Sequence, residues 1–380
     1  MGRDTRGILA AALLWLALWQ TPAAFGGAGV GVMSYPPVIA GRALSFPRDH
    51  GAHPGYRTEW WYVTGWLRDE AGRERGFQLT FFRVRPPLDV TGSSRFSPQQ
   101  LILAHAALAD PANGRLFHAE RAERVLPPLV AADAGNTDVK LHDWRLAWSA
   151  PAGAPGHYRA HVQAGTFAFD LELTPDGEPL LNGDAGFSRK ASAPEHASYY
   201  YSRPQLKAEG QLRLQDAQHV VSGKAWLDHE WSSEIMPPDA SGWDWIGINL
   251  DDGGALMAFR MRNLDGAQIW AGGTLRMPDG RVRILAPDAL HFSVRRSWRS
   301  PRSGATYPVE MELEIAAEGA QPARRVRIAP MMDDQELDSR RSTGAIYWEG
   351  AVRVFEAGAS AREIGRGYLE MTGYADPLKM

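Results

Sequence analysis

The residues of this chain best placed to do chemistry are carboxylates set among indoles. The densest run is Trp226-Leu227-Asp228-His229-Glu230-Trp231, followed by Trp243-Asp244-Trp245. A third group spans His53 to Trp61 and places Glu59 beside Trp60, Trp61 and Tyr62. A carboxyl buried against indole loses the hydration of its charged form, so its pKa rises. A carboxylic acid that stays neutral near pH 7 is what general-acid chemistry requires. Asp228, Glu230, Asp244 and Glu59 are the candidates on this ground. The competing reading is that each pairs with Arg57, Arg260 or a backbone amide and only fixes a loop.

The aromatic residues around them suggest a cavity. On an extended strand Trp60, Tyr62, Thr64 and Trp66 share one face, while Glu59, Trp61, Val63 and Gly65 share the other. Large aromatics on both faces suit a barrel wall with a core or cavity on one side and another domain on the other. Plain core packing is the alternative. The functional reading is an apolar pocket with a few polar groups, the usual form of a small-molecule site.

The elements that must position these residues read as strands. Tyr62–Leu67, Gly76–Arg85, Thr166–Leu173, Asp244–Leu250, Ala255–Arg262, Val309–Ile315, Ala345–Phe355 and Gly365–Tyr374 are rich in aromatic and β-branched residues. Turn formers bound them at 69–72, 175–177, 251–254 and 278–280. Gln99–Asp110 fits either a strand or a short helix. The segments 127–138 and 150–156 read as loops. Many short strands with frequent turns predict an all-β fold of antiparallel barrels or sandwiches.

A weak internal repeat sharpens this. Glu59-Trp60 opens a strand that turns into Phe77–Arg83, and Asp244-Trp245 opens one that turns into Ala255–Arg260. Each copy runs acid, Trp, strand, turn, strand, aromatic, Arg. Leu67 aligns with Leu250 and Arg83 with Arg260, the turn being shorter in the second copy. The repeat predicts two related β domains, over 40–225 and 226–380.

Composition removes several function classes. The chain has 380 residues, 22% of them charged, with a net charge of −3, so it lacks the basic excess of an unspecific nucleic-acid binder. It contains no cysteine, which excludes disulfides, thiolate catalysis and Cys-ligated metal. His50-Gly51-Ala52-His53, with Asp49, has short metal-ligand spacing but needs a third, dispersed ligand. No metal is expected. Neither a GxGxxG turn nor a phosphate-cradling Gly-x4-Gly-Lys-Ser/Thr loop occurs, so no nucleotide cofactor is expected. No Gly-x-Ser-x-Gly elbow occurs, which disfavours that class of hydrolase. At the N-terminus Arg3 and Arg6 precede the apolar run Ile8–Trp19, and small residues follow Pro22. This is the layout of a secretory signal over 1–26, predicting a periplasmic or secreted protein.

Several long motifs resemble the AttH/CrtC family. They include Ser45–Pro54, Arg57-Thr58-Glu59-Trp60-Trp61-Tyr62-Val63-Thr64-Gly65, Ser198-Tyr199-Tyr200-Tyr201-Ser202, Ala225–Glu234, Gly242–Trp245, Tyr347-Trp348-Glu349-Gly350-Ala351-Val352 and Gly367–Tyr374. The resemblance runs from about residue 40 to 376. It implies two lipocalin-like β-barrel domains packed together, in agreement with the repeat. The family includes carotenoid 1,2-hydratases and exported members labelled predicted secreted hydrolases. In the hydratases an aspartate is thought to protonate an alkene, and the resemblance carries that role to Asp228, with Asp244 as the competing position. His229 or Glu230 would then orient the acid or the attacking water. Ligand-binding candidates are Glu59, Trp61, Tyr62, Tyr201, Trp226, Trp231, Trp243 and Trp245. The expected ligand is an apolar isoprenoid or lipid-like molecule. The alternatives are a carrier or chaperone without chemistry, and a hydrolase. Peripheral association with a membrane or a transporter is a further expectation of the resemblance.

Overall fold

The computed structural model describes residues 34–87, 99–319, 321–358 and 361–378. The apolar run Ile8–Trp19 lies outside them. The described chain folds into two antiparallel sheets. The only helical elements among the described residues are two three-residue 3-10 turns, Arg48–His50 and Pro287–Ala289. None is long and apolar enough to cross a membrane. Leu101–Asp110 is a strand, which settles the ambiguity over that segment.

The first sheet has 13 strands. Its path begins at Arg115–Arg124 and passes through Leu101–Asp110, Glu74–Val84, Thr58–Asp69, Ala217–Glu234 and Ala197–Leu214. It continues through Phe167–Thr174, His157–Gln163, Trp144–Ser149 and Asp138–Leu141 to Val130–Ala132. The two ends approach each other. Arg121, on the first strand of the path, donates to the carbonyls of Leu141 (3.3 Å) and Gln163 (3.1 Å). The result is a nearly closed barrel around Trp61, Phe77, Leu79, Tyr158, Phe169 and Trp231.

The second sheet has 10 strands and forms a curled half-barrel. Gly242–Leu250 lies near its middle, between Ala255–Arg262 and Glu363–Met371, and Ala345–Glu356 follows. Its core holds Ile246, Ile248, Val309, Met311 and Trp348. Together the sheets make the all-β, lipocalin-like double barrel expected from the sequence.

The repeat has a physical meaning in this fold. Glu59 lies opposite Arg83 across the first hairpin, and Asp244 lies opposite Arg260 across the second. Both acids are buried. Each forms an ion pair with its Arg, at 2.7 Å in the first barrel and 2.6 Å in the second. The acid-to-Arg spacing is a cross-strand register, not a coincidence of two turns.

The barrels meet through a third apolar cluster that includes Tyr62, Trp66, Tyr200, Trp226, Trp245, Met257 and Tyr368. The approach is close. A Cβ on Gly76 would lie 2.7 Å from both the Ala351 Cβ and the Tyr368 hydroxyl of the opposite sheet, so glycine is required there. Polar bonds fix the register. Trp66 Nε1 donates to the Gly367 carbonyl at 3.1 Å, and Asn249 Nδ2 to the Ala225 carbonyl at 3.0 Å. Gln205 is a latch. Its backbone N–H donates to Asn249 Oδ1 (2.7 Å) and its Nε2 to the carbonyls of Leu250 and Gly254 (both 2.8 Å). Its Oε1 accepts from Lys224 at 2.6 Å. Gln205→Ala removes the side-chain bonds to Leu250, Gly254 and Lys224 and is expected to cost about 1–3 kcal/mol. The loss should fall on hydrogen-exchange protection of Asn249 to Gly254 before that of the first barrel's core. Uniform loss across both barrels would sink the latch.

Candidate functional site

Strand alternation divides the Trp226–Trp231 run between two environments. Thr58–Asp69 and Ala217–Glu234 pair so that Trp60 lies opposite Glu230, Trp61 opposite His229 and Tyr62 opposite Asp228. Residues directly opposite share a face. Trp61, Leu227 and Trp231 belong to the first barrel's core, whereas Tyr62 and Trp226 belong to the junction cluster. His229 and Asp228 therefore lie on opposite sides of one wall, although they are sequence neighbours. Both faces of the wall are occupied, as the aromatic pattern of 59–66 predicts.

The inner side carries a closed ion and hydrogen-bond network. The Glu59 carboxylate accepts from His53 Nδ1 (2.7 Å), His229 Nε2 (2.9 Å) and Arg83 Nε (2.7 Å). His53 Nε2 reaches Asp49 at 3.1 Å. His229 Nδ1 meets the Tyr201 hydroxyl at 3.1 Å, which meets His50 Nδ1 at 2.7 Å. The indole of Trp231 stacks on His53 at 3.7 Å between centroids, and that of Trp61 on His229 at 4.7 Å. Burial alone would raise the Glu59 carboxyl, but the bonds from His229 and His53 and the Arg83 charge hold it far below the usual carboxylate range. Burial opposes a charge on His53, and its two carboxylate partners outweigh that and hold it above its ordinary value. Burial pushes His229 down, so it is a neutral imidazole donating to Glu59.

Ligand atoms of His53, Glu59 and His229 lie within 4.8 Å of one another. The third partner for His53 is thus supplied by dispersed strands rather than by the His50–His53 spacing. Those atoms already bond to one another and to Arg83. A guanidinium on the shared carboxylate is a poor neighbour for a cation, and the arrangement serves to hold the wall.

The outer side faces a cavity between the barrels whose mouth opens to solvent. Trp60, Tyr62, Phe82, Trp243, Trp245 and Phe259 supply its aromatic surface. Its polar groups include Asp228, Glu230, Glu349, Glu370, Lys190 and Tyr200.

Asp228 is the best-supported of these. Ser202 Oγ (2.6 Å) and Trp226 Nε1 (2.7 Å) donate to its Oδ1, and the Tyr200 hydroxyl donates to Oδ2 at 2.7 Å. Trp245 Nε1 donates to that hydroxyl at 2.9 Å and fixes it. Burial pushes the Asp228 carboxyl up to about 7; the three donors pull it down but do not offset that, and Glu230 adds repulsion. Asp228 is thus a carboxyl raised towards neutrality on the wall of an aromatic cavity. Burial, with Asp228 and Glu230 nearby, keeps the Tyr200 hydroxyl well above its usual range, so it stays a donor.

Glu230 is paired rather than poised. It accepts from Lys190 Nζ at 2.7 Å and from Ser198 Oγ. Asp244 is absent from the cavity lining; Arg260, Arg262 (3.1 Å) and the Tyr374 hydroxyl (3.0 Å) occupy its carboxylate. The structure thus gathers Tyr62, Trp226, Trp243, Trp245, Asp228 and Glu230 at the junction. It places Glu59, Trp61, Tyr201, His229 and Trp231 inside the first barrel.

Three charged residues of the cavity were not among the site residues expected from the sequence. Glu349 and Glu370 lie directly opposite each other on paired strands. Each follows an aromatic closely, at Trp348 and Tyr368, but only the register brings them together. Burial and repulsion from Glu370 push the Glu349 carboxyl well above its usual range, against the pull of the Tyr62 and Tyr347 hydroxyls. Burial also raises Glu370 to about 7. Lys190 carries no local signal in the sequence.

The fold and this cavity define a double-barrel, lipocalin-like protein with an acid-bearing aromatic site between the barrels. The chain matches the AttH-like family over residues 37–374 and belongs to it. It is similar to the crystal structure of an AttH of Nitrosomonas europaea, with 46% identity, a TM-score of 0.80, and coverage of 89% of this chain and 99% of that one. It shares its fold with kievitone hydratase from Nectria haematococca, at 14% identity, a TM-score of 0.67, and coverage of 91% and 97%. CghA in complex with Sch210972 is also similar, at 13% identity, a TM-score of 0.56, and coverage of 90% and 97%. No curated protein matches the chain.

Proposed function

We propose that the protein adds or removes water on an apolar, isoprenoid- or lipid-like substrate held in the junction cavity, with Asp228 as the acid. The observation that carries this reading is the Asp228 carboxyl, raised to about 7 in an aromatic cavity and aimed by three donors. In hydration, the Asp228 proton passes to one alkene carbon and leaves the positive charge on the other. Water adds there and loses a proton to an ionised carboxylate of the cavity. Proton exchange between the two carboxyls restores the starting state. The indoles of Trp243 and Trp245 stabilise the developing charge through their π faces. The hydratase among the proteins of similar fold supports this class of chemistry.

The test incubates the protein and its Asp228→Asn variant with a lipid extract of the source organism in ¹⁸O-labelled water, followed by mass spectrometry. A product carrying a whole labelled water is expected, formed about 10²–10⁴-fold more slowly by the variant. Label appearing in a new carboxylate would replace hydration by hydrolysis. An unchanged apolar compound retained by both proteins would replace catalysis by carriage.

We also propose export, on the layout of residues 1–26. Recovery from a periplasmic fraction with an N-terminus near Gly27 is the expected result. An intact Met1 on cytoplasmic protein would refute it.

A further inference from the structure

The junction cavity gathers more carboxyls than cations. It is lined by four carboxyls, Asp228, Glu230, Glu349 and Glu370. Among the described residues lining it, Lys190 is the only cation, and it is committed to Glu230 at 2.7 Å. His105, which bonds to the Tyr347 hydroxyl behind the cavity at 2.7 Å, is pushed down to about 3 by burial and is uncharged. Three carboxyls therefore have no counter-charge.

Two further observations point at a ligand. Glu349 and the Tyr62 hydroxyl are buried beside each other, their contact short of a well-formed hydrogen bond, and both residues line the cavity. A buried polar atom without a well-formed bond is open to a partner from outside the chain. The protein's own ammonium also shows how a cation sits here. Lys190 Nζ lies 4.3 Å from the Phe259 ring centroid and 5.0 Å from that of Tyr200. These are cation–π distances, and Trp60, Trp243 and Trp245 offer further faces.

We propose that the junction cavity binds an apolar ligand carrying a positively charged nitrogen, an amine or quaternary ammonium, with the charge placed against Glu349 and Glu370. The aromatic walls take its apolar body. This rests on the junction being the ligand site, and it does not require Asp228 to act as an acid. A zwitterionic lipid head group fits less well, because its phosphate would meet the same carboxyls.

Proton linkage follows. The carboxyls facing the ligand from the first barrel are Asp228 and Glu230, and those from the second are Glu349 and Glu370. Tyr62, Tyr200, Tyr347 and Tyr368 are held well above their usual range by burial and nearby carboxylates, and stay neutral. Without ligand, the raised acids hold protons near neutrality. A bound cation favours their ionised forms, so binding releases protons and strengthens as pH rises from 5.5 to 8.5.

The experiment compares benzyltrimethylammonium with its uncharged isostere neopentylbenzene, using tryptophan fluorescence and calorimetry in buffers of differing ionisation heat. Dodecylphosphocholine is the third probe. At pH 8 the cation is expected to bind at least about tenfold more tightly than the isostere, with proton release, and more tightly than the phosphocholine. The Glu349→Gln/Glu370→Gln variant should lose the cation preference while still binding neopentylbenzene. Retained binding of that isostere reports a folded cavity. Equal or tighter binding of neopentylbenzene to the unmodified protein would overturn the charge preference and leave the apolar site standing. Equal or tighter binding of dodecylphosphocholine would overturn it in favour of a lipid head group. Saturation by none of the three would overturn both the ligand class and the site.

Discussion

The Glu59→Gln variant is expected to lose about 3–5 kcal/mol of unfolding free energy, measured by denaturant titration at pH 7. The carboxylate is fully buried and receives Arg83, His53 and His229. An amide keeps the shape but removes the charge, so the Arg83 guanidinium remains inside the barrel without its ion-pair partner. Asp49 bonds to His53 and Arg42, not to Arg83. Breaking one member of a buried charged set costs more than the set contributes, because the remaining charges cannot be resolvated. The pH dependence has two edges. Glu59 is held low, so its contribution is present above its unfolded value near 4.5 and is lost as pH falls through its folded one. His53 is held high, so its contribution is present below its unfolded value near 6.5 and is lost as pH rises through its folded one. A loss below about 1 kcal/mol would show that the network does not hold the wall.

Asp228→Asn is expected to do the opposite to stability while removing turnover. The folded carboxyl is raised from 3.8 to about 7, so the native state binds the proton more tightly than the unfolded chain. Stability therefore falls as pH rises from about 4 to 7 and levels off above that. The full displacement amounts to roughly 4 kcal/mol at high pH. Asparagine does not titrate. Its carbonyl can take the Oδ1 position, accepting from Ser202 and Trp226, and its amide can donate to the Tyr200 hydroxyl. Thermal unfolding from pH 4 to 8.5 should show a flatter profile for Asp228→Asn and a higher melting temperature at pH 8. An unchanged profile would mean that Asp228 is an ordinary ionised carboxylate, and the general-acid reading would go with it.

The opposing signs of these two substitutions come from one backbone and show how much of the site was legible. The period of two was readable along residues 59–66, and it correctly gave the Thr58–Asp69 strand two occupied faces. The Glu59–Arg83 and Asp244–Arg260 pairs were visible as a repeat because hairpin register is local. The long strands Ala197–Leu214 and Ala217–Glu234 were not read as elements; in the second, Asp228, His229 and Glu230 interrupt any alternating apolar signal. Both faces are buried over residues 225–232, so polarity did not report exposure there. Glu349, Glu370 and Lys190 were invisible as partners of Asp228. Their proximity depends on how the second sheet docks on the first, which no local pattern encodes.

The wall shared by barrel and cavity also constrains how this protein can diversify. Its inward row, Glu59, Trp61, Leu227, His229 and Trp231, is tied to folding through one charged network and one core. Its outward row, Trp60, Tyr62, Asp228 and Glu230, faces the cavity and the junction between the barrels. Selection acting on ligand choice can rewrite the second row without touching the first. Across AttH-like proteins the two strands should therefore record two histories in alternate letters, one row nearly frozen and the other drifting with the molecule each member handles.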